Sequence, residues 1–165
     1  MNKLWAPWRR AYILGKKTKG CFVCALKRSK RDRANGVLAR TPHSIAVLNQ
    51  YPYNNGHVMV VPKRHVRLLS DLSDEESLDL LRLANQVMER IRQRMNAQGF
   101  NWGINFGQTG GAGLPGHIHL HIVPRWKGDT NFMPVTADTK VISESLASAY
   151  RTLAFSARSG RSKKP

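Results

Sequence analysis

Apolar residues in this chain fall into several short runs and one long periodic stretch. Residues 44–49, SIAVLN, are a compact apolar run that fits a strand. The turn formers of YPYNNG (51–56) follow, and HVMVVP (57–62) reads as a second strand, so the two predict a hairpin. Ser73-Asp-Glu-Glu76 is a capping box opening a long helix. Leu80, Leu81, Ala84, Val87, Met88, Ile91 and Met95 recur down one side of it, and Gly99 is the expected stop. NWGINF (101–106) is a third strand candidate. GQTGGAGLPG (107–116), a loop with five glycines, delivers the chain to a fourth strand, HIHLHIV (117–123). VISESLASAYRTLAF (141–155) predicts a C-terminal helix. Four strands around one long helix specify an α+β domain with an antiparallel sheet.

At 165 residues and 41% apolar content, the chain is long enough for one ordinary hydrophobic core. Charge changes the picture at the ends only. The net charge is +17, and residues 1–40 hold 12 basic residues against one acidic. The last ten residues add four basic and none acidic, whereas 41–155 are near balance, with 11 basic against nine acidic. The domain is therefore expected to span 1–155 with a basic N-terminal extension, followed by a basic tail, 156–165. LKRSKRDR (26–33) reads as a solvated loop. No recognition helix or stacking sheet accompanies the charge, so specific nucleic-acid binding is not expected. No apolar run approaches the roughly 20 residues of a membrane span, and the N-terminal stretch has no signal-peptide core. A cytoplasmic protein with no membrane partner is expected.

The chemistry concentrates in HIHLHIV. Half of the six histidines stand at alternate positions, so His117, His119 and His121 share one face and Ile118, Leu120 and Ile122 the other. Successive imidazoles on that face are roughly 7 Å apart. Three readings are open: packing histidines, a three-His catalytic metal site, or nucleophilic catalysis at phosphorus. The glycine loop favours the last, because glycine lets backbone amides surround phosphate oxygens. Cys21-Phe-Val-Cys24 has the spacing of a zinc half-site and lacks two ligands.

HIHLHIV resembles the histidine triad motif of the HIT superfamily. The resemblance extends to LWAPWRRAYI, GCFVC, VLNQYPYNNGHVMVVPKRHV, NWGINFGQTGGAG and VPRWKGDTNFMPV, covering roughly residues 3–155. These segments are similar to the bacterial branch related to Fhit-type dinucleoside polyphosphate hydrolases and diadenosine tetraphosphate phosphorylases. The resemblance implies a HIT-like α+β fold, a homodimer sharing one continuous sheet, and a nucleotide or dinucleoside polyphosphate, diadenosine tetraphosphate foremost, as substrate. It makes His119 the nucleophile that forms a nucleotidyl-histidine intermediate, and His121 the contact to the transferred phosphate. It also places Asn49 at the ribose, His57 and Asn105 around the nucleotide and phosphates, and Trp126 at the pocket wall. Some bacterial triad proteins complete a structural zinc site with the His of PKxH and the first triad His, which implies Cys21, Cys24, His65 and His117 here. A Hint-like nucleoside phosphoramidase, or a nucleotide-binding regulator with slow turnover, is the alternative.

One departure bears on the second step. Hint- and Fhit-type enzymes carry Gln followed by Ser or Thr ahead of the triad as phosphate contacts, and here Gly113 and Leu114 stand there. Amides of Gly110, Gly111 and Gly113 are the expected substitutes, with Arg125 and Lys127 as nearby cations. The room left at Gly113 favours inorganic phosphate over water as acceptor.

Overall fold

The structure, a computed structural model, describes residues 20–130 and 140–155. Most of the basic N-terminal extension, the NFMPV stretch and the 156–165 tail lie outside the described residues. The predicted hairpin forms: β2 (Ser44–Leu48) pairs antiparallel with β3 (Val58–Pro62), every residue of both being buried. β1 (Val37–Arg40) adds an outer strand, and β4 (Gly99–Ile104) and β5 (Leu120–Arg125) complete an antiparallel sheet of order β1-β2-β3-β5-β4.

Strict alternation divides the sheet's side chains between two faces. Ala46, Leu48, Val58, Val60, Leu120 and Ile122 form one core with Leu80, Leu83, Ala84, Val87 and Ile91 of the long helix, here α3 (Asp74–Met95), and with Ala149 and Leu153 of α4 (Leu146–Leu153). On the opposite face Ile45, Val47, Met59 and Val61 pack against Val23 and Leu26 of α1 (Phe22–Arg28). That second layer is small, so His57, Asn49 and the triad occupy the rest of the same face. No helix among the described residues is long and apolar enough to cross a membrane.

α3 begins as expected: Ser73 Oγ accepts the Glu76 amide at 3.2 Å, and Glu76 Oε2 accepts the Ser73 amide at 2.9 Å. Its end and its buried stripe differ from expectation. Asn96 takes a left-handed conformation (φ 52°) and stops the helix, a role an Asn side chain tolerates. Gly99 instead opens β4, which starts two residues earlier than predicted. Leu81 is exposed and Leu83 is buried, because a stripe through 80, 84, 87 and 91 includes 83 and turns 81 to solvent. The 26–33 segment is not a loop throughout, since α1 ends at Arg28 and a short α2 (Asp32–Asn35) follows. Arg40 holds this turn, bonding the Asp32 carboxylate at 2.7 Å and the carbonyls of Leu26 and Ser29 at 2.9 and 3.1 Å.

Candidate active site and metal centre

The histidine stretch is extended, but ladder pairing begins only at Leu120. There both neighbours run out, since Val60 and Ile104 are the last partners of β3 and β4. The residues before it are held differently: the Ile118 amide donates to the Val66 carbonyl at 2.8 Å, anchoring the stretch to the loop after β3. The three imidazoles remain on one face, all buried.

Hydrogen bonding assigns the tautomer of each ring. The Tyr53 amide donates to His57 Nδ1 at 3.1 Å, so the proton of His57 sits on Nε2. That nitrogen lies 2.9 Å from His121 Nδ1 and donates to it, which puts the His121 proton on Nε2. His119 Nδ1 donates to the His117 carbonyl at 2.9 Å, and among the described residues the Nε2 lone pair of His119 is unshared. His119 and His121 meet edge to face with centroids 4.9 Å apart. Burial pushes His57 down to about 3 and His121 down to about 4, with the charge of the neighbouring imidazole second, so both are neutral near pH 7. The His121 Nε2–H is therefore a fixed donor beside the His119 ring.

Asn49 joins this cluster. Its side-chain amide lies 3.3 Å from His57 Nδ1, and its oxygen accepts the Tyr51 amide at 2.9 Å. Gly103, the β4 partner of His121, would meet nothing if it carried a Cβ, which keeps open the space beside the triad. The glycine loop is more committed than expected. The Gly111 amide is spent on the Gln108 carbonyl at 2.9 Å, and Gly111 takes φ 85°. A Cβ on Gly110 would stand 2.3 Å from the Phe106 carbonyl oxygen, so only glycine fits that turn. Among the described residues the amides of Gly110 and Gly113 have no hydrogen-bond partner, and Asn105 approaches the loop with its Nδ2 3.9 Å from the Cβ position of Gly111. Gly113 has open space around it, and Leu114 packs against the smaller core.

Two residues near the end of β5 have partners of their own. Trp126 follows the parity of Leu120 and Ile122, so it packs on the α3 side of the sheet, away from the triad. Its indole N–H donates to the Met95 carbonyl at 3.0 Å and satisfies the end of α3. Arg125 is not a spare cation for phosphate. Its guanidinium pairs with Asp129 at 2.7 Å, donates to Asn101 at 2.8 Å, and holds the Asp129 carboxyl well below the usual range.

The second cluster lies behind the triad. His117 Nδ1 stands 3.3 Å from Cys21 Sγ, 4.0 Å from Cys24 Sγ and 3.2 Å from His65 Nδ1, and Cys24 Sγ is 3.3 Å from His65 Nδ1. The four ligand atoms all fall within 4.8 Å of one another. A tetrahedral zinc with Zn–N of about 2.0 Å and Zn–S of about 2.3 Å requires ligand separations of about 3.3 to 3.8 Å, so the donor set fits. His117 Nε2 donates to the Pro62 carbonyl at 2.9 Å, which leaves Nδ1 as the ligand atom. Burial lowers the His117 pKa, only partly offset by that carbonyl, and so favours the neutral form a metal needs. Tyr53, Pro62 and Val66 were not singled out from sequence. Only the turn-rich YPYNNG ahead of His57 hints at Tyr53, and main-chain carbonyls carry no sequence signature.

The HIT domain family model matches residues 30–128. A protein named AP-4-A phosphorylase from Mycobacterium tuberculosis is 37% identical over 162 residues, covering 93% of this chain and 83% of its own length. A bis(5'-nucleosyl)-tetraphosphatase (asymmetrical) from Schizosaccharomyces pombe is 39% identical over 101 residues, 61% of this chain and 55% of that protein. Among solved structures, the Caenorhabditis elegans NitFhit protein aligns with a TM-score of 0.58 and 34% identity over 73% of this chain and 27% of its own. A zinc-bound histidine triad family protein from Mycobacterium smegmatis aligns with a TM-score of 0.65 and 24% identity, covering 81% and 90%, a likeness of fold.

Proposed function

The chain belongs to the HIT (histidine triad) domain family, and on that premise we propose that it cleaves dinucleoside polyphosphates, diadenosine tetraphosphate foremost, through a nucleotide bound covalently to His119. The observation that carries this reading is the tautomer of His119: its Nδ1 proton is held by its own chain, so Nε2 offers a lone pair. In the first step Nε2 attacks the α-phosphorus, the N–P bond forms, and the bond to the bridging oxygen breaks. His121 Nε2–H donates a hydrogen bond to the phosphate oxygens, and ATP departs as an oligophosphate anion that needs no proton. Asn49 and Asn105 are assigned to the nucleoside and phosphates, and the amides of Gly110 and Gly113 to the phosphate chain.

The second step needs an acceptor. Water must lose a proton to attack, and His57 and His121, pushed down to about 3 and about 4, are weak bases for that task. Inorganic phosphate is already an anion and needs no base. The 37% identical AP-4-A phosphorylase supports the same choice, so phosphate is the favoured acceptor and the products are ADP and ATP. Product analysis of diadenosine tetraphosphate in millimolar phosphate tests this. ADP accumulating in proportion to phosphate supports it, whereas AMP and ATP unaffected by phosphate make the protein a hydrolase. His119→Asn should abolish turnover and leave nucleotide affinity within about tenfold; turnover surviving in that variant ends the covalent route.

Cys21, Cys24, His65 and His117 are proposed to hold a structural zinc, supported by the donor geometry above. Zinc held there supplies a cross-link between α1, the loop after β3 and the triad segment. A homodimer is proposed as well, supported by the open sheet edge at β4.

A further inference from the structure

Away from the histidines, the C-terminal ends of α3 and α4 converge on a cavity of about 480 Å³ lined by Arg90, Arg94, Arg151, Thr152, Ala154 and Phe155. Three guanidiniums and, among the described residues, no carboxylate line it. Its volume lies in the range of small-ligand sites. Arginines at helix C-termini often serve the helix dipole and the orphan carbonyls, so that role is accounted for first. Arg90 fills it: Nε donates to the Leu153 carbonyl at 2.6 Å, Nη2 to the Ala154 carbonyl, and the guanidinium stacks 4.7 Å over the Phe155 ring. At the end of α3 the Met95 carbonyl is satisfied by Trp126. Arg92, on the same helix, pairs with Glu89.

Arg94 and Arg151 are left over. Neither has an ion pair or hydrogen bond among the described residues. Burial and then the charge of Arg94 lower the pKa of Arg90, the direction expected where like charges stand together without an anion. The chain also continues from Phe155 into ten residues with four cations and no acid. Like charges gathered at an open concavity repel unless an anion joins them, and guanidinium forks match phosphate oxygens two at a time.

From the cavity, its three guanidiniums and the two unspent side chains, we infer that this is a second anion site, distinct from the triad, for the phosphates of an oligophosphate chain. Arg90 is the fixed wall, immobilised by its two carbonyls and Phe155. Arg94 and Arg151 supply the adjustable forks. Both an inorganic chain and the tail of a nucleoside triphosphate carry this chemistry.

The test uses the full chain with inorganic tripolyphosphate in one arm and ATP in the other, following the Nε–H resonances of Arg90, Arg94 and Arg151 and the Thr152 amide by NMR. Saturable shifts at these positions are expected with tripolyphosphate. An equal response to ATP assigns recognition to the phosphates alone, and a tighter one assigns a nucleotide as the source. The double variant Arg94→Gln/Arg151→Gln should weaken that binding by about tenfold or more while turnover at the triad is unchanged. The charge-matched Arg28→Gln/Arg82→Gln should change it by less than about twofold. Shifts that do not saturate, equal weakening in both double variants, or a response to single-stranded oligonucleotide without one to tripolyphosphate would each overturn the site.

Discussion

Single histidines here are distinguished by which nitrogen carries the proton, and main-chain groups decide it. The Tyr53 amide, the His117 carbonyl and the Pro62 carbonyl fix three of the rings. Alternation in HIHLHIV was enough to place the imidazoles on one face and to separate them from the core aliphatics. It was not enough to give their tautomers, because main-chain partners are common to every sequence. A pH prediction follows from burial. His57 and His121 lie far below the ordinary 6.5, so as pH falls below 6.5 the unfolded chain binds protons that the native chain refuses. Their contribution to stability is whole above pH 6.5 and declines as pH falls, until about pH 4 for His121 and about pH 3 for His57. His57→Gln keeps a donor toward His121 and removes one of these groups. Its melting temperature should fall less steeply than that of the parent between pH 6.5 and 4, and parallel profiles would show that His57 is not held neutral by the fold.

Elements were legible in proportion to their length and periodicity. The 22-residue α3, with its capping box and apolar stripe, was read almost whole, and so was the hairpin flanking YPYNNG. α1 and β1 were not, since each buries only two side chains, Val23 with Leu26 and Val37 with Leu38. Two apolar positions in a basic stretch give no periodicity, and tertiary packing alone makes those segments regular. The PRW extension adjoins the triad in sequence and so suggests a pocket residue, yet Trp126 packs on the other side of the sheet. Trp126→Phe keeps a ring against α3 and removes the hydrogen bond to Met95. A loss of about 1 kcal/mol in stability is expected, with kcat/KM for diadenosine tetraphosphate within about twofold of the parent; a large fall in kcat/KM at unchanged stability would return Trp126 to the pocket. The proposed zinc acts at the same scale, fastening the short α1 to the sheet. Metal analysis of protein never exposed to chelator should find about one zinc per chain, and Cys24→Ser or chelation should lower the melting temperature. Metal-free protein with an unchanged melting temperature on chelation would discard the site.

At the scale of the whole molecule, the two edges of the sheet are treated differently. β1 is covered: the Phe155 amide donates to the Leu38 carbonyl at 3.0 Å, and Arg40 ties the strand to the Asp32 turn. β4 pairs only with β5, and among the described residues no strand or helix closes its outer side. Asn101, Trp102 and Gly103 are exposed there, with Trp102 53% and Phe106 45% accessible. An open edge carrying large apolar side chains is a template for pairing unless something covers it. The proposed second copy, joined strand to strand about a two-fold axis, would cover it with the same residues on both sides. That proposed geometry would extend the sheet through both protomers and bring the paired triads close together, because His121 lies one strand from the edge, opposite Gly103. The protein should therefore sediment at twice the chain mass at micromolar concentration. Trp102→Glu, which sets two like charges face to face across the axis and exposes no core residue, should shift it to a monomer with an unchanged far-UV spectrum. A parent that sediments as a monomer, or a Trp102→Glu variant that remains dimeric, would remove β4 as the interface.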